Sequence, residues 1–334
     1  MANKVRMKDI ADAVGVSIVS VSKVLNGKQD GVGESVRAKI LETSERMGYV
    51  FKKDLSGTKP KNVGVIVCEK FFLTNESFYG NMHRFLVKYS SCYNITILLE
   101  IIMQNNEKPY TTPNLIKNNQ IDGLIFLGSF SSDYVNEIKK IGLPYVFLDH
   151  YNDDSATDFI LSDSYNGSYA LTKLLIENGH RNIRFVGDIH ETSSIMDRYL
   201  GYLKALASFD LIKENDIVAI PDRDPNGTIY VSDDLGNIAS AYVCNCDQTA
   251  FMLMGILNSK GLRVPEDVSI VGFDDSHFAY LANPPLTTYK VDSQMMSNEA
   301  LRIIARKIEK KPCTNGRTLI PGEIISRSSI KKLN

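Results

Sequence analysis

Five aspartates, Asp149, Asp163, Asp188, Asp247 and Asp274, stand at the ends of short apolar or β-branched runs. If those runs are parallel strands, their carboxyl ends gather along one edge, where open α/β folds bind small ligands. Nothing in the chain completes a catalytic set around them. The five histidines, at 83, 150, 180, 190 and 277, are dispersed. His150 follows Asp149 directly, and neighbours on a strand face opposite sides. No G-x-S-x-G, G-x-G-x-x-G, P-loop or H-E-x-x-H stretch occurs. The expectation is a binding protein with no catalytic residues and no cofactor.

Metal chemistry is disfavoured for a similar reason. Of the five cysteines, at 68, 92, 244, 246 and 313, only Cys244 and Cys246 are close, and no second cluster stands at ligand spacing. Buried free thiols fit better. The stretch DRDPNGTIYVSD (222–233) matches the D-x-D-x-N-G spacing of a calcium loop. It ends in Asp rather than Glu, holds Pro225 and lacks flanking helices, so an Asn226-Gly227 turn between two strands explains it more simply. No metal site is expected.

The elements that must position these residues alternate along the chain. Strand-like runs fall at 62–68, 94–102, 122–128, 144–149, 182–188, 240–245 and 268–274. Helix-like segments lie near 78–92, 131–141, 165–178, 194–209, 248–260 and 294–310, with Gly179 and Gly261 where helix ends are expected. Alternation of this kind implies βαβ crossovers and parallel sheets covered on both faces. About eleven strand candidates, counting the shorter runs, exceed what one compact sheet usually holds, so two sheets with a cleft between them are expected. A final strand is expected in IISRSS, just before Asn334.

The first sixty residues differ in kind. Ile10, Ala11 and Val14 lie at helical spacing, Gly15-Val16 interrupts, and Ser17 can cap a second helix whose apolar face is Val21, Val24 and Leu25. Asn26-Gly27 ends that helix. A third runs roughly from Glu34 to Met47, with Val36, Ile40, Leu41 and Met47 inward. Two short helices joined by a tight turn and braced by a third fit a recognition helix into a DNA major groove. Charge supports this. Residues 1–61 hold 12 Lys and Arg against 7 Asp and Glu, whereas the whole chain has 38 against 39. A basic head on an acidic body suits nucleic acid rather than a membrane. The stretch VFKKDLSGTKPKN that follows reads as a linker. An odd cysteine count, no apolar leader and no membrane-length apolar run point to the cytoplasm.

At this point the sequence resembles the lactose-repressor/galactose-repressor family of bacterial transcription regulators. The head carries KDIADAVGVS, VSKVLNG and ERMGY. The body carries DGLIFLG, LIENGHRNIRFVG, DRYLGYLKAL, GLRVPEDVSIVGFDD, NPPLTT and PGEIISRSS. The resemblance implies a small all-α helix-turn-helix headpiece (1–50), a hinge (51–61), and an α/β core like the periplasmic sugar-binding proteins. That core would comprise two doubly wound parallel-sheet subdomains, 62–161 plus 290–319 and 162–289 plus 320–334.

Carried over residue by residue, the resemblance places Ile18, Val19 and Ser20, with Lys23 one turn on, against base edges. Ile18 and Val19 can meet a thymine methyl, and Lys23, where the family usually has arginine, can donate to guanine without the rigid fork. The alternative for Ile18 and Val19 is burial in the headpiece core. Ser17, Ser22 and Asn26 would contact phosphates. In the hinge, Leu55 is the candidate minor-groove wedge, flanked by Lys52 and Lys53 on phosphates; Gly57 weakens any helix there, and a flexible linker is the alternative.

In the cleft the resemblance implies ligand contacts from Phe78, Tyr79, Asp149, Arg198, Asp247 and Asp274. Carboxylates and an arginine can each bind two sugar hydroxyls, and an aromatic can stack on the apolar face. Cys246 stands where the family usually has asparagine, which changes that pocket wall. The implied function is a sequence-specific, repressor-type DNA-binding regulator, a homodimer on a pseudo-palindromic operator, controlled by a sugar or sugar derivative. The absence of a leucine-heptad tail favours a dimer over a tetramer. Competing readings are a sugar receptor with no DNA role, a family regulator controlled by a protein partner, and an enzyme on a doubly wound fold.

Overall fold

The computed structural model describes residues 5–25, 31–47, 59–72, 78–103, 111–151, 157–212, 218–224, 227–313 and 316–333. It divides into two compact units, Met1–Lys59 and Pro60–Asn334.

The first unit holds α1 (Met7–Val14), α2 (Ile18–Leu25) and α3 (Glu34–Arg46). The Asp9 carboxylate accepts the Arg6 backbone N–H at 2.7 Å and starts α1. Gly15 ends it at φ +76°, and the N–H groups of Gly15 and Val16 return to the Ala11 carbonyl at 2.9 and 3.0 Å. A left-handed residue here suits glycine because no Cβ meets the backbone. Ser17 Oγ then accepts the Ser20 N–H at 3.0 Å, capping α2. Ile10, Ala11, Val21, Val24 and Ile40 bury one another, with Val14, Leu25, Val36 and Met47 packed around them. Leu41, expected inside, is exposed. It lies about 100° around the helix from Ile40, too far to share its face.

The second unit is built on two sheets. One runs β10 (Gly316–Ile320), β5 (Asp158–Ser162), β4 (Tyr145–Leu148), β3 (Gly123–Leu127), β1 (Lys61–Cys68), β2 (Ile95–Ile102) in spatial order. Its strands pair in parallel throughout. The other runs β11 (Glu323–Ile325), β9 (Thr287–Lys290), β8 (Ser269–Asp274), β7 (Ala241–Cys244), β6 (Ile183–Val186), with only β11 antiparallel. Central strands such as β1 and β3 are buried on both faces, so they read as unbroken apolar runs.

Helices α4 (Phe78–Ser90), α5 (Asn114–Lys117), α6 (Ser132–Lys139) and α11 (Ser293–Ile308) belong to the first sheet. Helices α7 (Ser164–Glu177), α8 (Ser193–Ser208), α9 (Asp247–Ser259) and α10 (His277–Leu281) belong to the second. The chain passes between the sheets after β5, β9 and β10. At the first two passages an aspartate caps the next helix: Asp163 accepts the Asn166 N–H at 3.3 Å and Asp292 the Met295 N–H at 2.8 Å. Asp163 is therefore spent as a helix cap. The tail strand is shorter than IISRSS implies: it covers Glu323–Ile325, and Ser326 onward leaves the ladder. Ser329 instead anchors the tail by donating to the Ile270 carbonyl at 2.6 Å.

Candidate functional site

In the headpiece, Val21 and Val24 turn inward, and this forces Ile18 and Val19 outward. They are 48% and 64% exposed. Burial in the headpiece core is thereby ruled out for both, and two aliphatic side chains stand on the open face of α2. Ser20 is half-buried and its hydroxyl lies 2.9 Å from that of Ser17, so the cap and its neighbour form one polar pair. Ser22 and Lys23 are half-buried on the next turn. Asn26, Lys52, Lys53 and Leu55 lie outside the described residues.

The cleft site is assembled from both sheets. From the first come Tyr79 on α4 and Asp149, immediately after β4. The Tyr79 ring packs edge-on against Phe71 and Phe78, at centroid distances of 5.5 and 5.4 Å, and a Cβ on Gly128 would come within 3.0 Å of it. A ring so enclosed has no face for a sugar. Its hydroxyl is what reaches the cleft, donating to Asp149 Oδ2 at 3.0 Å. Phe78 is half-buried and keeps the stacking role open. Asp149 is 2% exposed, sits at φ +63°, and its Oδ1 is buried with no hydrogen-bond partner.

From the second sheet come Arg198 on α8 and Asp274 at the end of β8. Arg198 donates from Nη1 to the Asn245 carbonyl at 2.6 Å, from Nε to Ser164 Oγ at 3.4 Å, and from Nη2 to Asp274 Oδ1 at 3.5 Å. Asp274 and Asp275 have φ of +108° and +55°. Left-handed backbone at three non-glycine residues around one cleft is the strain that binding sites concentrate.

Burial dominates the electrostatics. It pushes the Asp149 carboxyl up to about 6, against the pull of Arg198 and the Tyr79 hydroxyl. It pushes Asp274 up to about 8, with Arg198 opposing and Asp247 and Asp149 adding to the rise. One guanidinium thus serves two desolvated carboxyls and cannot fully charge both. Burial also drives the adjacent His150 imidazole down to about 4, so it is neutral near pH 7.

Asp247, expected to touch ligand, is instead sealed. It has no exposed surface, its Oδ1 accepts the Thr288 hydroxyl at 2.5 Å, and its Oδ2 accepts the Ser276 N–H at 2.6 Å. With both oxygens satisfied it braces α9 against β9 and the segment beyond β8 that carries Asp275. Asp188 is half-buried and holds the His190 N–H at 3.0 Å. Cys246 lies on the same wall, its Sγ 3.2 Å from Thr249 Oγ1, and burial raises its thiol to about 11. Asp222, the first position of the calcium-like stretch, is fully buried among protein donors, and Arg223 bridges antiparallel to Ile229; Pro225 and Asn226 of that stretch lie outside the described residues. Reasoning from sequence also missed Asn245 and Phe273. The apolar run into VGFDD was a usable signal for Phe273; the partners of Asn245 have none.

The matches to known proteins follow this division. Residues 6–50 match the bacterial regulatory proteins of the lacI family, and residues 172–330 match the periplasmic binding protein-like domain. The HTH-type transcriptional regulator RegA of Clostridium saccharobutylicum is 28% identical over 97% of this chain and 98% of its own. The chain carries a lacI-family DNA-binding domain ahead of a periplasmic binding protein-like domain. As a LacI-type regulator it binds DNA sequence-specifically through its helix-turn-helix head, carries a ligand-binding core, and is no enzyme. Two solved structures share its fold. One is a complex of the regulator CelR with cellobiose, with a TM-score of 0.69 and 22% identity over 98% of this chain and 100% of that one. The other is a Lac repressor dimer bound to operator and an anti-inducer, with a TM-score of 0.67 and 19% identity over the same shares. Among the described residues, no helix is long and apolar enough to cross a membrane.

Proposed function

We propose that this regulator is a repressor whose affinity for a pseudo-palindromic operator is set by a sugar or sugar derivative in the cleft between its two sheets. The observation that carries this is the convergence of Asp149, from one sheet, with Arg198 and Asp274, from the other. A ligand with adjacent hydroxyls donates to the two carboxylates and accepts from the guanidinium, and the unpartnered Asp149 Oδ1 gains a donor. Phe78 supplies an apolar face, while Asp247 acts from behind the wall. Because the contacts come from both sheets, occupancy favours one relative setting of the two lobes.

Ile18, Val19, Ser20 and Lys23 read bases, and Ser17 and Ser22 meet phosphates. Two headpieces of a homodimer must sit one helical turn apart on the duplex, so lobe movement that changes their spacing loses one half-site. Coupling of about 1–3 kcal/mol is the usual size for such a switch. The setting is the cytoplasm, where operator DNA is. The test is a thermal-shift screen of the full chain with ribose, cellobiose and other mono- and disaccharides, repeated on Arg198→Ala. A sugar that raises the wild-type melting temperature and leaves the variant unmoved supports the reading. A sugar that stabilises both equally places binding elsewhere.

A further inference from the structure

Asp222, a buried carboxylate outside the ligand-facing set, holds the residue whose carbonyl accepts from Arg198. Asp222 has no exposed surface, yet it lies in a loop after a short bridge alongside β6, not in a helix or strand interior. Its Oδ2 accepts the Arg223 guanidinium at 2.7 Å, the Asn245 amide at 2.6 Å and the Thr249 hydroxyl at 2.5 Å. Its Oδ1 accepts the Asp188 N–H at 2.8 Å. A carboxylate with four donors and no surface is a fixed point of the structure.

What it fixes is residue 245. The Asn245 side chain is held by Asp222, and its backbone N–H donates to the Val186 carbonyl at 2.8 Å. Asn245 packs this closely because position 187 is glycine: a Cβ there would come within 2.7 Å of the Asn245 Cβ and Nδ2. The free end of the residue is its carbonyl, and that carbonyl accepts the shortest bond Arg198 makes, at 2.6 Å. The remaining two Arg198 bonds, at 3.4 and 3.5 Å, are too long to aim a guanidinium unaided.

We propose that Asp222 is the positioning residue of the effector site, aiming Arg198 through Asn245. The inference rests on the cleft reading above, and its test uses no ligand, so that failure of one is distinguishable from failure of the other. Because Asp222 also ties down Asp188, Arg223 and Thr249, it links these three residues to the one that meets the effector.

The experiment follows the side-chain Nε–H resonance of Arg198 in the full-length protein by NMR, assigned by its loss in Arg198→Lys. In the wild type it exchanges slowly with water. Asp222→Asn leaves one acceptor oxygen for four donors, so a donor is left facing a donor in this cluster, and Arg198 exchange accelerates by about tenfold or more, the scale of a lost buried acceptor. Backbone amides of β8 keep their protection. The double variant Asp222→Asn/Asn245→Asp reverses donor and acceptor and restores slow exchange. Asn245→Ala leaves Asp222 its other three donors; it reproduces the loss and carries the test should Asp222→Asn not fold. Unchanged Arg198 exchange in Asn245→Ala overturns the proposal. So does a reversed pair that folds and fails to restore it.

Discussion

The Arg198 guanidinium carbon lies 4.0 Å from the centroid of the Phe273 ring, one residue before the Asp274 carboxylate to which Arg198 donates. The strand that supplies the acceptor therefore also supplies an apolar floor for the cation. A guanidinium stacked on an aromatic face keeps its edge free for in-plane hydrogen bonds, which is how it can hold Asn245 and still face a ligand.

Phe273 is 1% exposed, so Phe273→Leu removes both the stack and core volume. It should lower stability by roughly 1–3 kcal/mol in denaturant titration and weaken sugar binding. An unchanged binding constant would mean that the ring only fills space.

Exposed Val19 has no packing to lose, so Val19→Ser should change headpiece stability by no more than about 0.5 kcal/mol. Operator binding should lose discrimination at one T·A pair when compared by anisotropy on single-base variants. A large loss of stability would put Val19 in the core after all.

Lys23→Ala should relax discrimination at one operator base pair by about 1–3 kcal/mol. A uniform loss on every sequence, with a reduced salt slope, would make Lys23 a phosphate contact.

Much of this was readable before the fold was known, for a physical reason. Buried parallel strands are continuous β-branched runs, so Tyr145–Leu148 and Ser269–Asp274 lie within the stretches 144–149 and 268–274. The edge strand Gly316–Ile320 alternates in burial and does not announce itself, while Glu323–Ile325 is only three residues long, so IISRSS marked its place but overran its end. At the site, Arg198 and Asp274 were legible through the motifs around them. Asp222 and Asp247 were not, because a carboxylate's burial is decided by donors such as Asn245 and Thr288 far along the chain. That is why Asp247 looked like a ligand contact and proved to be a brace.

Asp149 and Asp274 carry carboxyls raised to about 6 and about 8 in the fold, from an ordinary value near 3.8. The folded state therefore holds protons that the unfolded state has released. The stability from these groups is complete below about pH 4 and is lost as pH rises through about 6 and then about 8. Asp274→Asn never ionises there, so its melting temperature should gain on the wild type as pH rises through that window. A constant offset at every pH would mean that Asp274 titrates normally.

Sugar hydroxyls donating to these carboxylates favour the ionised form, so binding should release protons and strengthen as pH rises from about 6 to about 8. Calorimetry of the binding sugar in buffers of different ionisation enthalpy reads the proton count. Proton uptake would reverse the assigned donor and acceptor roles.

The central claim is that the cleft governs the head. The direct measurement is fluorescence anisotropy of a pseudo-palindromic duplex, selected by the full-length protein from a random pool, with and without the stabilising sugar. For the wild type, saturating sugar should shift operator affinity by about 5–150-fold, the range of a 1–3 kcal/mol coupling. For Arg198→Ala the sugar-free affinity should be nearly that of the wild type, and the shift should vanish. An equal shift in both proteins, or no shift in the wild type with the sugar bound, would contradict it.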